Sequence, residues 1–121
     1  MFKSRKVYVQ VRRNKITVID LLNGEQVVEE ASIPFSTQRI VVASFDPAHQ
    51  TIKSAFSRLG VKRSLGGISI AMHQVEGFEG GLSDIEKRAL MDLGQMAGGS
   101  KVVIVENESE ISNSEALALL A

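Results

Sequence analysis

The sequence predicts an α/β domain with a mixed sheet, in which three antiparallel strands precede alternating helices and strands. Three observations lead to it. Val7, Val9 and Val11 alternate with polar neighbours, and after the polar run Arg12-Arg13-Asn14-Lys15 the extended pattern resumes at Ile16-Thr17-Val18-Ile19, as in a hairpin. Ser83 followed by Glu86 three positions on is a capping box, in which each side chain satisfies a backbone N–H that a helix start leaves without a partner. That helix feeds Val102-Val103-Ile104-Val105, a short β-branched run of the kind found in buried strands.

Taken in order, strands are expected at residues 7–11 and 16–19. Asn23-Gly24, a strong hairpin signal, leads into a third strand within residues 25–31, completing an antiparallel meander. Residues 40–45 are apolar and β-branched but directly precede a helix, so they read as a short strand or an extended approach. Asp46 as N-cap and Pro47 in the first turn open helix one, which spans about residues 47–59 with Ile52, Ala55, Phe56 and Leu59 on one face and Gly60 at its end. Residues 67–72 form the fourth strand, and 73–82 a glycine-rich loop. In the second helix Ile85, Ala89, Leu93, Met96 and Ala97 recur at helical spacing as the apolar face, with Gly98 suited to the left-handed conformation that ends a helix. Residues 106–113 are polar enough to be mobile, and Ser112 with Glu115 caps a last short helix over 116–120. Helix–strand units joined by short loops imply parallel pairing of the later strands.

Composition bounds the function. With 121 residues and 44% hydrophobic content, the chain reads as a single domain over residues 1–121. The absence of cysteine excludes a disulfide framework, a thiol nucleophile and a thiolate metal site. The basic start is followed by alternation instead of an apolar stretch, and no run approaches the roughly 20 residues that span a bilayer, so a cytoplasmic location is expected. Charge is lopsided: residues 1–63 carry 11 Lys and Arg against 5 Asp and Glu, and residues 64–121 carry 3 against 9. This asymmetry suits contact between copies or with an acidic partner.

Candidate sites are few. Arg12, Arg13 and Lys15 at a hairpin tip, near Lys3, Arg5 and Lys6, form the best basic patch and the expected interaction residues; with Tyr8 and Phe78 as surface aromatics they offer little stacking for nucleic acid. His73, Glu76 and Glu79 fall in the glycine-rich loop at a spacing that matches no compact metal motif, and the loop is expected to be solvated. His49 reads as an exposed polar residue in the first turn of helix one. Gly77, Gly80 and Gly81 do not form a dinucleotide fingerprint, and Ser44, Ser69 and Ser83 lack the context of a nucleophile elbow.

Residues 82–106 resemble a run in the MreB and actin-like ATPases: a small hydroxyl residue, Glu three positions further on, two basic residues, Ala, an aliphatic residue, then Ala-Gly before a hydrophobic strand ending in Glu. Here these are Ser83, Glu86, Lys87, Arg88, Ala89, Leu90, Ala97, Gly98 and Glu106. The resemblance implies a ribonuclease-H-like subdomain in the order β-β-β-α-β-α-β-α. It also implies that Glu86 stands where the family's glutamate lies near the nucleotide and helps place the attacking water, a role that competes with the helix cap. In the family the first hairpin holds an Asp-Leu-Gly-Thr type phosphate loop. Here residues 9–14 read Val-Gln-Val-Arg-Arg-Asn, with neither the carboxylate that handles Mg²⁺-nucleotide nor the glycine that lets backbone approach phosphate. Residues 73–82 are longer than the family's tight turn, and the second phosphate loop lies beyond the equivalent of Ala121.

The expected function is therefore a non-catalytic protein-interaction module resembling one subdomain of MreB, working with itself, as a homodimer, or within a cell-shape or cytoskeletal system. No cofactor or metal is expected; ATP enters by resemblance alone. The rival readings are a nucleotide-binding or hydrolysing protein that completes its site by dimerisation, with Glu86 as the catalytic candidate, and a nucleic-acid module using the basic hairpin.

Overall fold

Alternating valines and isoleucines dominate the first two strands, and the chain folds them into a sheet covered on both faces. The computed structural model describes residues 5–61, 67–77 and 80–121. β1 (Arg5–Arg12) and β2 (Lys15–Asp20) are joined by the turn Arg13-Asn14, where Asn14 takes φ 55°, a left-handed conformation that asparagine tolerates. β3 (Gln26–Glu30) follows a turn containing Gly24 at φ 79°. The remaining elements are α1 (Phe45–Leu59), β4 (Ile68–Gln74), α2 (Asp84–Met96), β5 (Lys101–Val105) and α3 (Asn113–Leu119). The sheet order is β3-β2-β1-β4-β5, antiparallel among β1, β2 and β3 and parallel from β1 to β4 to β5. The expected meander and the parallel pairing of later strands are both present. Among the described residues no helix is long and apolar enough to cross a membrane.

One face of the sheet packs Val7, Val9, Val11, Ile16, Val18, Ile70 and Met72 against α1 and α2. The other sets Tyr8, Ile19, Ala71 and Val105 against Ala116 and Leu120 at α3. Burial of this kind contributes about 25 cal/mol per Å² of apolar surface. β1, at the centre, is therefore enclosed on both sides.

Four expectations need correction. The N-cap of α1 is Ser44, not Asp46, and it makes no side-chain cap bond. Pro47 falls third in the helix, which costs no hydrogen bond because first-turn N–H groups have no intrahelical acceptor. Residues 40–44 form no strand: the N–H groups of Ala43 and Ser44 both go to the Phe35 carbonyl, folding this stretch into a turn that buries Val41. Residues 106–112 are not loose, since side chains of β1 and β4 bond them to the sheet.

The fourth correction concerns α2. Its inner face is Leu90, Leu93 and Gly94, whereas Ile85 is 82% and Met96 52% exposed. The reason is steric. A Cβ at Gly94 would lie 2.7 Å from Val102 Cγ1, so the helix approaches β5 along the one line where it has no side chain. That contact turns Ile85 and Met96 outward.

Both capping boxes form as expected. Ser83 Oγ accepts from the Glu86 N–H at 3.1 Å and Glu86 Oε1 from the Ser83 N–H at 2.9 Å; Ser112 and Glu115 repeat this at 3.1 and 3.0 Å. Ser83→Ala is expected to lower unfolding free energy by about 0.5–2 kcal/mol. Glu86→Gln should be milder because the amide oxygen still accepts the Ser83 N–H, and Gln74 Nε2, which loses Glu86 Oε2, keeps the Glu76 carbonyl. Urea titration of both variants checks this, and a larger loss for Glu86→Gln would contradict it.

Candidate functional site

Because β1, β4 and β5 run in parallel, their C-terminal ends share one edge of the sheet. The Arg13-Asn14 turn, the chain after Gln74 and the N-terminus of α2 meet there. Gln74 is buried, and its Nε2 donates to Glu86 Oε2 at 3.2 Å and to the Glu76 carbonyl at 3.1 Å. Glu86 is half-buried. Burial alone would raise its pKa, but hydrogen bonds from the Ser83 backbone, Gln74 and Ser83's side chain prevail and hold it below the ordinary carboxylate value. Lys87 pairs with Glu106 at 2.9 Å beside it.

The hairpin tip is closed by the protein's own oxygens. The Arg13 N–H donates to Glu76 Oε1 at 2.6 Å, and the Asn14 N–H to Ser36 Oγ at 3.0 Å. Asn14 Oδ1 in turn accepts from the N–H groups of Phe35 and Ser36 at 2.8 and 2.9 Å, while Arg13 Nη2 donates to the Gln38 carbonyl at 3.2 Å. Gly77, at φ 64°, comes so close that a Cβ there would sit 3.0 Å from Val41 Cγ2. A carboxylate thus fills one of the two backbone donors that the turn presents.

On the opposite face lies a buried polar cluster. Tyr8 Oη and His73 Nδ1 are 2.6 Å apart, His73 Nε2 is 2.7 Å from the Asn107 carbonyl, and the Ile111 N–H donates to Tyr8 Oη at 3.2 Å. Both rings are fully buried. Burial lowers the pKa of His73 against the opposing pull of the Asn107 carbonyl and Glu110, and burial raises that of Tyr8. Next to them Arg12, Gln10 and Glu110 form a closed triad: Arg12 Nη2 to Glu110 Oε2 at 2.7 Å, Arg12 Nη1 to Gln10 Oε1 at 2.9 Å, and Gln10 Nε2 to Glu110 Oε1 at 3.0 Å. Among the described residues no group of three His, Asp or Glu side chains is placed to hold a metal.

No family model matches the sequence. Over 93 residues it is 32% identical to the YjaA protein of Escherichia coli K12, an alignment covering 72% of each chain. The chain belongs to the YjaA family. Its fold is similar to that of MreB5 of Spiroplasma citri in a crystal structure with ADP bound, with a TM-score of 0.62, 13% identity and 85% of this chain covered. The chain spans 38% of the length of that protein. The likeness is one of fold alone, to the matched part of an actin-like protein.

In this YjaA-family protein the residues singled out by sequence are dispersed. Glu86 is at the strand C-terminal edge and in its cap. Arg13 is exposed at the hairpin tip, but Arg12 and Lys15 lie on the α3 side of the sheet, where Arg12 is engaged by Glu110 and Lys15 lines the same shallow groove with Thr17 and Gln26. Tyr8, expected at the surface, is buried. His73, expected in a solvated loop, is in β4 and buried, because that strand runs two residues further than its apolar run. Glu76 holds the hairpin. Phe78 and Glu79 lie outside the described residues. His49, in the second turn of α1, is half-buried with Nε2 3.2 Å from the Met96 carbonyl. The Tyr8–His73 pair was missed by sequence reasoning; the alternation Ser69, Ala71, His73 on one strand face was the available signal.

Proposed function

We propose that this YjaA-family protein is a non-hydrolysing protein-interaction module, a single domain built as one ribonuclease-H-like, actin-like subdomain, and that it docks a second copy of itself on the outer face of α2. The observation that carries this reading is the exposure of Ile85 and Met96 while the inner face of the helix is complete without them. With Ala89 and the half-buried Phe45 they make an apolar strip. Its spacing is self-complementary: positions 85, 89, 92 and 96 read the same in both directions. Two antiparallel α2 helices on a two-fold axis therefore set Ile85 against Met96 of the second copy, let the helices approach at Ala89, and place Arg88 beside Asp92 of the second copy. Arg88, exposed, and Asp92, half-buried, lie 3.2 Å apart within one helix and can exchange partners across such an interface.

The closed hairpin tip supports the non-hydrolysing part of the reading. A phosphate approaching the Arg13-Asn14 turn would have to displace the Glu76 carboxylate, and no acidic side chain of the turn replaces it for Mg²⁺. Arg12, its charge met by Glu110, offers little to a nucleic acid. The setting we propose for such a module, cytoplasmic and linked to cell shape or the cytoskeleton, rests on the resemblance of residues 82–106 to the MreB and actin-like family.

Sedimentation equilibrium tests the proposal. The wild type should dimerise with a dissociation constant on the order of 10 μM. Ile85→Asp combined with Met96→Asp should weaken association at least about tenfold, with an unchanged thermal midpoint at concentrations where both proteins are monomeric, because both side chains are exposed. Mg²⁺-dependent ATP turnover should be absent. A monomer at on the order of 100 μM would overturn self-association, and turnover abolished by Glu86→Gln would overturn the non-hydrolysing reading.

A further inference from the structure

We propose that Tyr8, His73 and the backbone of residues 107–111 form an acid-released clasp, in which protonation of His73 frees the segment between β5 and α3 from the sheet and uncovers the apolar face beneath α3.

With His73 neutral, the proton inventory of the cluster admits one arrangement. The Asn107 carbonyl can only accept, so His73 Nε2 carries the hydrogen of that bond. The Ile111 N–H can only donate, so Tyr8 Oη accepts there and sends its own hydrogen to Nδ1. The neutral Nε2–H tautomer thus completes a chain from Ile111 through Tyr8 and His73 to Asn107. Every donor in it has an acceptor.

A proton added at Nδ1 sets two hydrogens against each other across the 2.6 Å gap to Tyr8. Tyr8 must then turn its hydrogen from Nδ1 toward Gln10, whose Oε1 already accepts from Arg12, and a charge has been created at a fully buried ring. The surroundings offer it little compensation. From β1 come Tyr8 and Arg12, from the 106–112 segment Glu110, from β5 Val105, and from α3 Ala116. Glu110 attracts the new charge but is already shared by Arg12 and Gln10, Arg12 repels it, and burial outweighs both. Burial keeps His73 below the ordinary histidine value of about 6.5, so the clasp's contribution is complete above that pH and is lost as pH falls toward the folded value.

Position turns this chemistry into a device. Asn107, Glu110 and Ile111 are the points at which side chains of β1 and β4 hold the segment, and α3 begins at Asn113, directly after it. Release of the segment loosens α3 and exposes Tyr8, Ala71, Val103 and Val105.

The chain has one tyrosine and no tryptophan, so Tyr8 reports the clasp without a label. Imidazole ¹⁵N shifts at about pH 8 should show the Nε2–H tautomer of His73. Between about pH 7.5 and about pH 5, with exchange corrected for intrinsic rates, protection of the Ile111 amide should fall at least about tenfold while amides of β2 keep theirs, and Tyr8 fluorescence should change over the same range. In His73→Gln, which still donates to Asn107 but does not titrate, the difference should vanish; if that variant does not fold, the wild-type tautomer and exchange decide. An Nδ1–H tautomer, equal Ile111 protection at both pH values, a difference that persists in His73→Gln, or a uniform loss across the core would each overturn the clasp.

Discussion

Replacing Leu93 by alanine is expected to lower unfolding free energy by about 2–5 kcal/mol, whereas Ile85→Ala in the same helix should change it by no more than about 0.5 kcal/mol. Both residues belong to one helical repeat in the sequence, but Leu93 is fully buried between α2 and the sheet and Ile85 is 82% exposed. Truncating Leu93 removes its transfer free energy and leaves a cavity that the close-packed core around it closes only in part. Ile85 leaves no cavity. Urea midpoints at constant slope give the comparison, taken at a concentration where the protein is monomeric. Equal losses in the two variants would mean that the helix is rotated from the orientation described.

The second large effect is expected at Gly94. Its missing side chain lets α2 lie against β5: a Cβ would meet Val102 Cγ1 at 2.7 Å, Val102 Cγ2 at 3.0 Å and Met72 Cγ at 3.2 Å. Gly99 repeats the constraint after the helix, where a Cβ would lie 2.8 Å from the Gly94 carbonyl. Gly94→Val should therefore lower stability by at least about 2 kcal/mol, as overpacking outweighs the roughly 1 kcal/mol by which glycine disfavours a helix interior. Gly94→Ala should fall between that variant and the wild type. Thermal melts of both variants read this directly, and a rise in stability for Gly94→Ala would show that the helix stands farther from the sheet.

These two positions also mark where the sequence was informative. Strand alternation in 7–19, the Asn23-Gly24 turn and both capping boxes are local signals, set by neighbours within four residues, and they led to the right elements in the right order. What periodicity could not supply was the azimuth of α2. Ile85, Ala89, Leu93 and Met96 satisfy a helical repeat as well as Glu86, Leu90, Leu93 and Gly94 do, and the choice between them depends on Val102, which the chain reaches only after the helix has ended. His73 was misread for a related reason: its partners are Tyr8, 65 positions earlier, and Asn107, 34 later. A polar residue after an apolar run looks like a loop until the strand beside it is known. The hairpin tip was legible in what it lacks, Asp and Gly, but not in Glu76, which occupies it from another turn.

The placement of β1 has a consequence for the order in which the molecule assembles. Its antiparallel partner β2 is made at once, but its parallel partner β4 pairs Arg5 with Ile68, so closing that contact costs the entropy of a loop of about sixty residues. Ile111 reaches Tyr8 from 103 positions away, later still. During synthesis, at about 5–20 residues per second, the β1–β2–β3 meander must therefore wait several seconds with the backbone edge of its future central strand unpaired. The strand most completely enclosed in the finished protein is the one longest open to mispairing in the nascent chain, and refolding should be slow for a domain of this size.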